Sequence, residues 1–158
     1  LLACLFSPAQ AQNAPPDAGT PQALPKVVLH VGKATLNTQV AATEPERELG
    51  LMYYTSLPDN DGMIFLMPTI ETATFWMKNT LIPLSVGFID KNGVILEIQD
   101  MAPEDFTKPH EDADLPIYRS ASNQVAYVLE TNLHWFSLNG VKPGDKIDPP
   151  PATLGKPN

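Results

Sequence analysis

The residues best placed to do chemistry lie in one short run, Thr72-Ala73-Thr74-Phe75-Trp76-Met77-Lys78-Asn79-Thr80. Read as a strand, it puts Ala73, Phe75 and Met77 on one face. Thr72, Thr74, Trp76 and Lys78 fall on the other. The first set suits a core. The second is polar yet carries a Trp, which fits either a ligand platform or a second covered sheet face. A strand over Gln124 to Glu130 behaves the same way. Val125, Tyr127 and Leu129 point one way, and Gln124, Ala126, Val128 and Glu130 the other. Glu130 could therefore stand at the polar end of a pocket. Arg47, in a short helix, could add a guanidinium there or pair with Glu44 or Glu48. Arg47 and Lys78 together suit a carboxylate, phosphate or sugar acid. Arg47, Trp76, Lys78, Asn79 and Glu130 are the candidate ligand-binding residues.

Other chemistries find less support. His30, His110 and His134 lack the H-x-x-x-H or H-E-x-x-H spacing of a metal helix. Met52, Met63, Met67, Met77 and Met101 raise a Cu(I) reading, but they follow the apolar pattern and read as flexible core filling. The acidic segment 100–114 holds six acids and one base, Lys108, and lacks the spacing of a calcium loop. No cofactor or metal is expected, and no catalytic residue is assigned.

These side chains need elements to hold them. Lys26 to Gly32 and Ala34 to Val40 read as a hairpin turned at Gly32-Lys33. Thr43-Glu44-Pro45-Glu46 opens a helix with a capping box and a proline in the first turn. Gly50 should end that helix near Met52 or Tyr53. Met63 to Met67 is a strand stopped by Pro68. Leu84 to Asp90 and Val94 to Met101 pair across Asn92-Gly93. Asn132 to Asn139 suggests a second short helix, and a last short strand surrounds Ile147. About seven or eight strands follow one another without long helical crossovers. The expected fold is α+β, a mostly antiparallel sheet curled toward a barrel, with two short helices.

The 158 residues carry 10 basic and 18 acidic side chains, a formal charge of −8. Such a balance disfavours nucleic acid as a partner. No apolar run is long enough for a complete membrane span. The only cysteine, Cys4, excludes an internal disulfide. Leu1 to Phe6 followed by Ala9-Gln10-Ala11 resembles the end of a signal peptide cut after Ala11. A periplasmic or secreted domain is expected, with lipidation at Cys4 as the alternative. Ten of the 17 prolines lie before Lys26 or after Val141. Residues 12–25 and 149–158 thus read as Pro-rich tails around a single domain, 26–148.

Several segments together carry a family resemblance. They are Thr43-x-x-x-Arg47-x-x-Gly50-Leu51-Met52, Gly62 to Phe65, Phe75 to Thr80 with Ile82-Pro83-Leu84, Val128-Leu129-Glu130, and Pro143-Gly144-Asp145. The chain from Val27 to Ile147 resembles the family known as domain of unknown function 192. After Pro-Leu that family usually has Asp, where this chain has Ser85. The resemblance implies a compact α+β domain, often exported or membrane-attached in bacteria and archaea, and implies no activity. The expectation is an exported envelope domain that binds a small anionic or saccharide ligand without catalysis. The alternatives are a hydrolase using Glu130 and Lys78, and a structural module for a protein partner.

Overall fold

The computed structural model describes residues 19–108 and 111–154. Among these residues, nine strands form two sheets. β1 (Lys26–Val31) and β2 (Ala34–Ala41) are the expected hairpin, and α1 (Glu44–Leu49) follows. β3 (Asp61–Glu71), β4 (Thr74–Trp76), β5 (Leu84–Ile89), β6 (Ile95–Met101) and β7 (Ile117–Arg119) come next. β8 (Val125–Asn132), α2 (Trp135–Leu138) and β9 (Ile147–Asp148) complete the order. Seven strands make one sheet in the order β6-β5-β8-β3-β2-β1-β9, and β4 pairs with β7 in a separate ribbon. The large sheet curls until its edges meet at one end. Val94 bridges Lys146 there, and the Ile95 N–H reaches the Asp145 carbonyl at 2.9 Å.

Every pairing in the large sheet is antiparallel except β2 with β3. A parallel pair cannot be joined by a hairpin, so the chain between them needs a crossover, and α1 supplies it. The sequence, read as free of long helical crossovers, gives no sign of this parallel pair because α1 is so short. β3 also runs through Pro68, where a stop was expected. Its register against β8 breaks between Leu66 and Glu71, so Pro68 occupies an irregular stretch that needs no ladder N–H.

Alternation sends the central strands to two cores. Met63, Phe65, Leu84, Val86, Phe88 and Val128 build one, together with Leu51, Ala73 and Met77. Ile64, Ile89 and Leu129 build the other with Leu29, Val31, Leu36, Trp135 and Phe136. We call these the cleft face and the α2 face. The β4–β7 ribbon docks on the cleft face through aromatic edges. Phe75 meets Phe65 at 5.2 Å between ring centres and Phe88 at 6.5 Å. The described part of the proline-rich leader, residues 19–25, lies along α1. Gln22 Nε2 donates to the carbonyls of Gly50 (2.9 Å) and of Glu46 (2.8 Å), the latter also accepting the Gly50 N–H. At the other end Pro151 is buried and Leu154 packs on the α2-face core. Among the described residues, no helix is long and apolar enough to cross a membrane.

Candidate functional site

A cleft of about 300 Å³ opens between α1, the end of β3 and β4. Local rules build its wall. Glu46 Oε2 accepts the N–H groups of Ala42 and Thr43, each at 2.8 Å, which fixes the start of α1. Those bonds hold the Glu46 carboxyl below its ordinary range. Gly50 then ends the helix with φ of 49°, a left-handed value that a side chain resists. It lies against the Phe65 ring, so the chain turns tightly over the sheet. Gly50, Leu51 and Met52 pass along the cleft.

Glu130 lies at its floor. It projects from β8 on the cleft face, level with Met63 of β3 and Val86 of β5. Only 4% of it is exposed. Among the described residues its carboxyl has no hydrogen bond and no ion pair. Burial alone pushes its pKa up to about 8, so the group is largely protonated at neutral pH. The other walls are mostly apolar: Leu49, Met52, Phe65, Met67, Pro68 and Phe75, with Thr74, Thr80 and Trp76 adding polar atoms. Trp76 is 44% exposed, high for an indole, and closes one side.

The expected site residues separate into two groups. Arg47, Trp76 and Glu130 line one cleft. The Arg47 Nη1 donates to the carbonyls of Ala42 (2.6 Å) and Leu66 (3.1 Å), tying α1 to β3. Lys78 and Asn79 do not line it. Lys78 pairs with Asp112 in the acidic segment, and that bond raises its pKa. Its ammonium sits 5.2 Å from the centre of the Trp76 ring. Asn79 has a left-handed backbone (φ 52°) and holds a turn. Its N–H donates to the Glu104 carboxylate, and its carbonyl accepts the Tyr53 N–H at 2.9 Å. Sequence reasoning missed Glu44, Glu48, Thr80 and the apolar walls. The run Gly50-Leu51-Met52 was the available signal, because a glycine closing a helix beside a Met marks a chain reversal over the core.

Ser85 lies on the opposite face of the sheet and has no exposed surface. Its Oγ donates to Asp100 Oδ1 and accepts the His134 N–H at 2.8 Å. His134 Nδ1 lies 2.9 Å from Asp100 Oδ2. The hydroxyl thus helps fix the start of α2, beside a small cavity of about 180 Å³ that Ser85, Asp100 and His134 line.

With this geometry in place, comparison with known proteins locates the chain. It resembles a Sinorhizobium meliloti protein of known structure, described as a candidate transcription regulator. The two share 31% identity over 80% of this chain and 95% of that one, with a TM-score of 0.69. A Novosphingobium aromaticivorans protein of unknown function is also 31% identical. The match covers 87% of this chain and 94% of that one, with a TM-score of 0.70. No curated protein matches. Residues 27–149 match a family described as uncharacterized ACR. The chain therefore belongs to that family, domain of unknown function 192.

Proposed function

We propose that this domain is a non-catalytic binding module of the cell envelope, and that the cleft over Glu130 is its ligand site. One observation carries the reading: a carboxyl that is 4% exposed and bonded to no described residue borders an apolar cleft beside a half-exposed indole. An unpartnered buried carboxyl costs free energy even when neutral. A ligand bringing a polar group to it would recover that cost. Small-molecule sites commonly combine such walls with a few convergent polar atoms.

The hydrolase alternative is weaker, because Lys78 is held by Asp112 and is not part of the cleft lining. A regulator role is not carried over from the Sinorhizobium relative. The cleft presents Glu44, Glu48 and Glu130 against the single guanidinium of Arg47, and the whole chain has charge −8. Phosphates are repelled by such a surface. Export is proposed from Ala9-Gln10-Ala11, and N-terminal sequencing of native protein should find a start near Gln12. A lipidated Cys4 would shift the reading to an anchored form, and a cytoplasmic product would reject export.

Amide and indole NMR shifts, followed against neutral saccharides, sugar acids and small amines, test the site. We expect at least one class to move Trp76, Gly50 and Met52 in the wild type and not in Trp76→Ala. Shifts confined to other surfaces, or none with any class, would remove the cleft as a binding site.

A further inference from the structure

We infer that the ligand of this cleft is a small organic cation, with an apolar body held by Trp76, Phe65 and Phe75 and a primary ammonium group paired to Glu130. The inference rests on the binding-module reading and narrows it to one chemistry.

Three features point the same way. Among the described residues, Glu130 has no counter-charge from any element around it. Besides Glu130, the ionisable groups lining the cleft among the described residues are Glu44, Arg47 and Glu48, all on α1, and none shifts its carboxyl. Arg47 is committed to the carbonyls of Ala42 and Leu66. An anionic ligand would therefore meet three carboxyl groups and one guanidinium already in use. This reverses the charge preference expected from the sequence, which counted Lys78 as a pocket residue. The indole of Trp76 already takes a cation on its ring, the Lys78 ammonium at 5.2 Å. That arrangement marks the ring as a cation-accepting surface. Finally, the walls are largely hydrocarbon and thioether, which suit an apolar body, and none of the donors among them bonds Glu130.

Pairing an ammonium with a protonated carboxyl needs a proton to leave. The bound state is a carboxylate facing R–NH₃⁺, and the proton of the carboxylic acid goes to solvent. With the Glu130 pKa at about 8, binding at pH 7 should release about 0.9 proton per ligand. Affinity should rise about 50-fold from pH 6 to pH 8 and then level off. A neutral ligand that accepts a hydrogen bond from the protonated acid would show the reverse, flat affinity to pH 8 and loss above it.

Phenethylamine, phenethyl alcohol and phenylacetate share one apolar body and differ in the polar end. Calorimetric titration of the full mature chain in two buffers of different ionisation enthalpy measures both affinity and proton release. We expect phenethylamine to bind more tightly than the other two by at least tenfold at pH 8, with proton release at pH 7. In Glu130→Gln that preference and the proton release should vanish, while a parallel thermal melt shows the variant folded. Binding of the alcohol in preference, weakening above pH 8, would overturn the ammonium and leave the binding site standing. Amine binding without proton release would place the ammonium away from Glu130 and overturn the pairing. No binding of any of the three probes would overturn it as well.

Discussion

The two faces of one sheet differ in one buried polar group, Glu130. β5 sends Leu84, Val86 and Phe88 to the cleft face and turns Ser85, Gly87 and Ile89 toward α2. On the α2 face the named polar atoms are bonded: Ser85 to Asp100 and His134, and Trp135 Nε1 to Asn60 Oδ1 at 3.1 Å. Packing there is close. A Cβ on Gly87 would lie 2.9 Å from the Phe136 ring, so the glycine makes room for α2. On the cleft face, one strand away, Glu130 is 4% exposed and bonded to no described residue. The bonded polar groups specify how α2 sits. The unbonded one weakens the fold, and such a group persists where it serves something other than stability.

Breaking each face should therefore have opposite results. Phe136→Ala empties a fully buried ring site on the α2 face and should cost about 3–5 kcal/mol. Ligand binding by the surviving folded fraction should be unchanged, because Phe136 does not border the cleft. Glu130→Gln should instead help the fold at high pH. The folded pKa of about 8 lies above the unfolded value near 4.5, so the native state holds the extra proton between them. The contribution of Glu130 is at its most favourable below pH 4.5 and is lost as pH rises toward 8, at about 1.4 kcal/mol per unit. Over that window the wild type should lose about 4 kcal/mol relative to the variant. Urea midpoints at pH 5 and pH 8 decide it. Equal pH slopes in both proteins would mean that Glu130 finds a partner in solution, and the contrast between the faces would fail.

The fold was legible where local patterns act. The Asn92-Gly93 hairpin, the start of α1 and the two-faced β8 all rest on residues a few positions apart. Alternation alone placed Glu130 opposite Leu129, and the structure keeps it there. What failed depends on distance. Lys78 looked like a pocket residue by alternation, but its partner Asp112 lies 34 residues on, in a segment that reads only as solvated. The β2–β3 parallel pair was hidden because its crossover helix has just six residues. The cap that Gln22 places on α1 comes from 24 residues earlier, in a stretch whose prolines suggested no contact at all. The Glu130 side of the site could be read from one strand, whereas its walls required three further elements to converge.

The smallest expected effect separates α1 as scaffold from α1 as ligand wall. Glu46 fixes the first turn through two backbone N–H groups yet does not line the cleft. Glu46→Ala should cost about 1 kcal/mol at pH 7, the usual scale for a lost cap. Its depressed pKa sets the sign with pH. The stabilisation is present above the unfolded value near 4.5 and is lost as pH falls through the folded value. The gap between wild type and variant in urea midpoint should then close toward pH 3, the reverse of the Glu130 trend. A ligand affinity that falls with Glu46→Ala in proportion to the lost stability would show that the cleft wall forms only when α1 is capped. Unchanged affinity would show that Gln22 and the Gly50 turn hold the wall on their own. A gap that persists at pH 3 would remove the carboxylate as its cause and leave the packing of the Glu46 side chain.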